Sequence, residues 1–171
     1  MTTSPQPGTG AWDAYLAEGN AKQARKRVAA DVILRDVTGR VLLVNPTYKE
    51  GWDLPGGMVE ANESPLDGAR RELWEELGIR PRLRGILTVD WDPAHGPWDD
   101  QLVLIFDGGE LAPEEAAGLA PHDEELSACA FFPPEEAIAA LRPRIRRRVA
   151  QALEALRAKE ARYLESGRQP W

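Results

Sequence analysis

The sequence predicts a single α+β domain, a mixed-sheet α/β sandwich rather than a doubly wound parallel sheet. Three observations predict it. Strand-like apolar segments come before, around and after the helical ones instead of alternating with them regularly. A strongly capped amphipathic helix lies among them. The 171 residues, 43% of them hydrophobic, suffice for one core without disulfides or a structural metal.

Residues 1–10 (MTTSPQPGTG) hold nothing to bury and read as a disordered tail. Trp12, Tyr15 and Leu16 lie at helical spacing, so 11–27 reads as a helical arm docking on the domain. The apolar runs 29–35 and 41–44 flank the polar stretch Asp36-Val37-Thr38-Gly39-Arg40, a hairpin signal. Residues 51–57 read as a short strand stopped by Pro55-Gly56-Gly57. In the helix that follows, Ser64 is the N-cap, Pro65 suits the first helical position, Asp67 adds an early acid, and Gly78 stands just past Leu77. Strands are expected at 86–91 and 101–106, joined by the loop 92–100. An acidic, Gly/Pro-rich stretch from Asp107 to Glu125 leads to a strand at 128–132. Pro133 and Pro134 open a short helix and Pro143 a longer one to about Ala161. The domain is therefore expected over 28–161, with 162–171 as a tail.

The chain carries 21 Lys and Arg against 28 Asp and Glu, a net charge of −7. One cysteine cannot form an internal disulfide, and no Cys/His cluster has zinc-site spacing. The start lacks the basic and apolar regions of a signal peptide, and apolar runs fall far short of the roughly 20 residues of a membrane helix. A cytoplasmic protein without a membrane partner is expected, with a homodimer left open. The acid excess argues against a nucleic-acid coat protein, which needs a basic surface.

On the helix 65–77, Leu66, Ala69, Leu73 and Leu77 form a core-facing stripe. Glu72, Glu75 and Glu76, at i, i+3 and i+4, are presented together on another. A solvated face is the ordinary explanation of such a run, but it meets two objections. Like charges at i,i+4 cost roughly a few tenths of a kcal/mol. In the last turn the helix dipole disfavours anions by about 0.3–1 kcal/mol. Arg71 offsets part of this, and a divalent cation would turn the repulsion into attraction.

From Gly57 there are five residues to Glu63, then seven to Arg71-Glu72, followed by Leu73, Trp74, Glu75-Glu76, Leu77, Gly78 and Ile79. This resembles the Nudix box, G-x5-E-x7-R-E-U-x-E-E-x-G-U with U aliphatic, and every specified position is matched. The lead-in Leu54-Pro55-Gly56-Gly57 and the preceding strands are also similar to that family, over about Val28 to Leu141. The resemblance implies an α/β/α sandwich with a mixed sheet and an enzyme that hydrolyses a pyrophosphate bond in a nucleoside diphosphate derivative. Nucleotide sugars including ADP-ribose, (d)NTPs and dinucleoside polyphosphates are the implied substrates. An RNA 5′-pyrophosphohydrolase or a non-catalytic nucleotide sensor is the alternative.

By position, the resemblance makes Glu72, Glu75 and Glu76 ligands for Mg²⁺ or Mn²⁺, with the Gly56 carbonyl as a backbone ligand. It pairs Glu63 with Arg71, tying the loop to the helix. The stretch Asp123-Glu124-Glu125-Leu126-Ser127-Ala128-Cys129-Ala130-Phe131 resembles the family's acidic loop leading to an aromatic-bearing strand. Glu125 is the first candidate for the general base and Glu124 the second.

Trp91 and Trp98 bracket the loop 92–100, where a base could stack, although packing explains them as well. Arg142, Arg144, Arg146, Arg147 and Arg148 open the last helix, whose stripe Ile145, Val149, Ala152, Leu153 and Leu156 suggests that the arginines form its solvated face. Cations at a helix N-terminus oppose its dipole, which leaves their placement unexplained. Cys129 reads as a packed thiol, and His95 and His122 lack ligand spacing.

Overall fold

The computed structural model describes residues 5–171. In chain order the elements are α1 (Gly10–Ala21), β1 (Arg27–Arg35), β2 (Val41–Pro46), β3 (Gly56–Met58), α2 (Pro65–Leu77), β4 (Gly85–Asp92), β5 (Gln101–Glu110), α3 (Pro113–Ala117), β6 (Leu126–Phe132), α4 (Pro134–Ala140), α5 (Pro143–Ala158) and β7 (Arg162–Glu165). Six strands run in the order β6-β2-β1-β5-β4-β7, and β3 pairs with β1 off that path. β1 lies parallel to β5 and β4 parallel to β7, while β2–β6, β4–β5 and β1–β3 are antiparallel. The sheet is mixed, as expected.

Strand period places side chains on alternate faces, and the two central apolar runs feed two cores. Ala30, Val32, Leu34, Leu42 and Val44 pack with Ala69, Leu73 and Leu77 of α2. Ile33, Val41 and Leu43 pack on the other side with Ala137 and Leu141 and with Val149, Ala152, Leu153 and Ala155 of α5. A sheet buried on both faces explains why 29–35 and 41–44 read as continuous apolar runs rather than alternating ones.

The caps of α2 are those the sequence predicts. The Ser64 hydroxyl accepts from the Asp67 N–H, and Gly78 closes the helix in the left-handed region at φ 67°. The buried Asp36 organises the turn between β1 and β2, accepting from the Thr38 N–H and hydroxyl and from the Arg40 N–H and Nε–H.

Three expectations change. The helical arm forms, capped by Thr9, but it does not dock: no residue of α1 is buried, and Trp12 and Tyr15 stack on each other instead. Three large apolar residues in twelve are too few for a packing face. The last long helix ends at Ala158 rather than near Ala161, because Lys159 turns left-handed at φ 55°. The stretch 162–171, expected as a tail, contains β7, which adds to the sheet edge beside β4 and buries Leu164 completely. The tail expected at 1–10 lies partly outside the described residues; Thr9 within it is the α1 cap.

Candidate active site

A cleft of about 670 Å³ opens where β1, β3, the C-terminal half of α2 and the start of α5 meet. Gly56, Gly57, Glu72, Glu76, Glu125 and Trp98 all line it. Sequence-distant residues therefore converge, and the turn before α2 governs how.

Gly56 sits at φ 136°, and a Cβ there would lie 2.4 Å from the Ala30 carbonyl oxygen, so only glycine fits beside β1. At Gly57 a Cβ would meet Glu72 Oε1 at 2.5 Å, so the missing side chain is the space the Glu72 carboxylate occupies. The Gly56 N–H donates to Glu76 Oε2 at 3.0 Å, fastening α2 to β3.

Arg71 is the hub on the outer side. Its Nε donates to Glu63 Oε1 at 3.0 Å and one terminal nitrogen to Glu63 Oε2 at 3.1 Å. The same nitrogen reaches the Met58 carbonyl, and the other donates to Glu72 and to Glu75, both at 2.9 Å. Glu63 holds the guanidinium charged well above its ordinary pKa, with Glu72 and Glu75 adding to the effect. The Arg71 hydrogen bond in turn holds the Glu63 carboxyl below the usual range. The predicted Glu63–Arg71 pair is present.

The inner carboxylates behave oppositely. Burial pushes Glu76 up to about 8, helped by Glu72, Asp31 and Asp123 and opposed by the Gly56 hydrogen bond. Burial also raises Glu72, with Glu75 and Glu125 adding to it and Arg71 opposing. Asp31, which sequence reasoning missed, lines the cleft too; burial and Asp53 raise it to about 7. Its only signal was a lone acid in an apolar strand.

The site thus concentrates negative charge that it cannot solvate. Among the described residues no three His, Cys, Asp or Glu side chains already form a metal cage. Arg71 engages Glu72 and Glu75, and the Gly56 N–H engages Glu76. The donor set is nevertheless all oxygen, which suits a hard divalent cation, and a cation would relieve the repulsion among these acids. Glu75 is half exposed and faces a neighbouring groove with Trp74, His122 and Asp123.

The two base candidates separate. Both are exposed, but Glu125 lines the cleft, in a loop fastened by the Thr47 N–H to its carbonyl at 2.8 Å, whereas Glu124 lies outside it. The two tryptophans separate as well. Trp98 lines the cleft with the Arg27 guanidinium 4.6 Å from its ring centre, but Trp91 does not, and its indole N–H is taken by Asp100 at 2.9 Å. Trp91 is a loop anchor, not part of the cleft wall.

The arginines of α5 are a solvated face only in part: Arg144, Arg146 and Arg147 are exposed, but Arg148 is buried and Arg142 half-buried. Arg142, Arg144 and Arg148 line the cleft, paired with Asp53, with Asp92, and with both Asp90 and Asp92 respectively. Arg146 and Arg147 instead hold backbone carbonyls. A helical wheel shows the apolar stripe but not the strand carboxylates that draw the flanking arginines inward.

A mixed sheet between helices, with a glycine turn and a helix that deliver clustered carboxylates to a cleft, is the layout of a Nudix domain. The profile of the NUDIX domain matches residues 25–155, and the chain belongs to that family, whose members generally use divalent metal ions. The chain is similar to an RNA pyrophosphohydrolase of Psychrobacter cryohalolentis, 37% identical over 67 residues, 38% of this chain and 39% of that protein. It is also similar to a MutT-like protein of Streptomyces ambofaciens, 30% identical over 107 residues, 63% of each chain. The matched stretch thus spans about two fifths of the first relative and under two thirds of the second. Among solved structures, the MutT protein of Methanosarcina mazei Go1 superposes with a TM-score of 0.64 at 23% identity, over 80% of this chain and 99% of that one.

Proposed function

We propose that this chain hydrolyses a pyrophosphate bond in a nucleoside diphosphate linked to a further group, with Mg²⁺ or Mn²⁺ held by Glu72, Glu75, Glu76 and the Gly56 carbonyl. The observation that carries this is the convergence of Glu72, Glu76 and Glu125 on one cleft beside a glycine whose absent side chain makes room for Glu72. When bound, a divalent ion neutralises phosphate charge and acidifies a coordinated water.

The protein's own groups do the rest. Glu63 and Met58 hold Arg71, and Arg71 holds Glu72 and Glu75 in place. The Gly56 N–H fixes Glu76. Glu125 takes the proton of the water that attacks phosphorus; the bridging P–O bond breaks and two phosphate products leave.

The test is product release from ADP-ribose, nucleotide sugars, (d)NTPs, dinucleoside polyphosphates and 5′-triphosphorylated RNA with Mg²⁺ or Mn²⁺. The wild-type chain should turn over at least one of them, and Glu76→Gln should abolish that turnover while the circular dichroism spectrum is kept. Full activity in Glu76→Gln removes the metal assignment. Hydrolysis of 5′-triphosphorylated RNA is the second reading, favoured by the placement of Arg142 and Arg144 in the same cleft as the acids.

A further inference from the structure

The reaction above leaves part of the cleft unused. Arg27, Lys49, Arg142, Arg144 and Arg148 line it together with the acids. Their partners are few. Asp53 takes both Lys49, at 2.7 Å, and Arg142. Asp92 takes both Arg144, at 2.9 Å, and Arg148, at 3.2 Å, Asp90 takes Arg148 again, and Arg144 also reaches His95 Nδ1 at 2.6 Å. Among the described residues no carboxylate pairs with Arg27, which lies over Trp98 and donates to Met58 Sδ. Four cations share three carboxylates, and Arg27 has none.

Local rules make this arrangement costly. Arg142 is the N-cap of α5 and Arg144 lies in its first turn, where the helix dipole disfavours a cation and no side chain caps the free N–H groups. The Arg142 guanidinium is also under-satisfied: its terminal nitrogen reaches Asp53, while the enclosed Nε–H has no acceptor. Guanidinium groups gathered beside a helix N-terminus, inside a cleft and next to an exposed tryptophan, match the oxygens of a phosphate.

We propose that Arg142 and Arg144, with Arg27 and Lys49, hold a phosphate beyond the scissile pyrophosphate, so that the site selects an extended phosphate chain over a nucleoside diphosphate joined to an uncharged sugar. The proposal rests on the hydrolase reading above. A nucleoside triphosphate, a dinucleoside polyphosphate and a 5′-triphosphorylated oligonucleotide share this chemistry, and separate assays tell them apart.

The experiment compares kcat/KM for ATP, diadenosine tetraphosphate and 5′-triphosphorylated RNA with kcat/KM for ADP-ribose, in the wild type, Arg142→Gln, Arg144→Gln and Arg144→Lys. The wild type should favour at least one extended-chain substrate over ADP-ribose. Each Gln variant should lower that preference at least tenfold, chiefly through KM, and Arg144→Lys should keep most of it. A wild-type preference for ADP-ribose, or an unchanged preference in both Gln variants, overturns the proposal. If the wild type hydrolyses nothing, the hydrolase reading fails by itself, and calorimetric binding of inorganic tripolyphosphate with Mg²⁺ decides this one. Tripolyphosphate affinity should then fall at least tenfold in both Gln variants and stay unchanged in Arg157→Gln, which alters only the exposed pair with Glu154. Equal affinity in all of them overturns it. Thermal melts of each variant confirm folding.

Discussion

Arg148→Met probes the charge network that fixes α5 to the sheet. Arg148 is 5% exposed and Asp90 is fully buried, joined at 2.6 Å, and the other Asp90 oxygen accepts the Gly167 N–H at 3.1 Å. One pair therefore ties α5 to β4 and to the turn after β7. Methionine keeps an unbranched apolar stem in place of arginine's but leaves the Asp90 carboxylate buried without its counter-charge. Removing one partner of a buried pair costs about 3–5 kcal/mol, because desolvation has already been incurred and only the attraction is lost. Asp92 keeps Arg144, which places the expected loss toward the lower end. With a urea slope of about 2 kcal/mol/M, the midpoint should fall by roughly 1.5–2 M. Adding Asp90→Asn removes the stranded charge while keeping an acceptor for Gly167, so the double variant should recover part of the loss. A single-variant loss below about 1 kcal/mol, or a double variant no more stable than the single, refutes the assignment of the cost to an uncompensated buried charge.

Glu125→Gln should lower kcat by about 10²–10⁴, the usual contribution of a general base, and a change within twofold removes Glu125 from that role. Gly57→Ala sets a methyl against the Glu72 carboxylate, at 2.5 Å from Oε1, on backbone an L residue can adopt. Turnover should drop about 10²-fold with the melting temperature held within a few degrees, since misplacement of a catalytic group by about 1 Å is enough for that; unchanged turnover shows that Glu72 has room to move. Burial would raise Asp36, but hydrogen bonds from Thr38 and Arg40 outweigh it and hold the carboxyl at about 2, below its ordinary 3.8. A depressed folded pKa stabilises the fold above the unfolded value, and that contribution is lost as pH falls through the folded one. Asp36→Asn should therefore cost about 2 kcal/mol at pH 7 in denaturant titration, with the difference from wild type shrinking between about pH 4 and pH 2. A pH-independent difference contradicts the ionic origin.

The site was legible where chemistry follows chain order. Ser64, Gly78, Arg71 and the three glutamates of α2 are close in sequence, so helical periodicity alone sets their mutual placement. Long-range placement was not legible. Asp31 reads as a stray acid in a strand until the parallel and antiparallel neighbours of β1 enclose it beside Glu76 and Asp53. The inward pairing of Arg142, Arg148 and Arg144 was not legible because a wheel carries no information about Asp53, Asp90 and Asp92, contributed 89, 58 and 52 residues away. β7 was missed for a similar reason: Arg162-Tyr163-Leu164-Glu165 offers one buried side chain, and only the open edge of β4 makes it a strand. Trp98 and Trp91 differ in nothing a composition shows; Asp100 decides between them by capturing one indole.

Both helices that reach the cleft break the same rule in opposite senses. α2 ends there with Glu76 at its negative pole and Glu75 beside it facing the adjoining groove, and α5 begins there with Arg142 and Arg144 at its positive pole. Each misplaced charge costs about 0.3–1 kcal/mol against its dipole. Stability alone would favour the reverse placement, with acids at the start of α5 and cations at the end of α2, at no cost in composition. As built, each dipole adds to the field of the side chains around it instead of cancelling it. The acidic pole is thereby strengthened toward a divalent cation and the basic pole toward a phosphate, side by side in one cleft. The net charge of −7 averages over these two poles and describes neither. A ligand that carries both a metal-bridged pyrophosphate and a further phosphate engages both fields at once, whereas a neutral sugar in the second position engages only the acidic one.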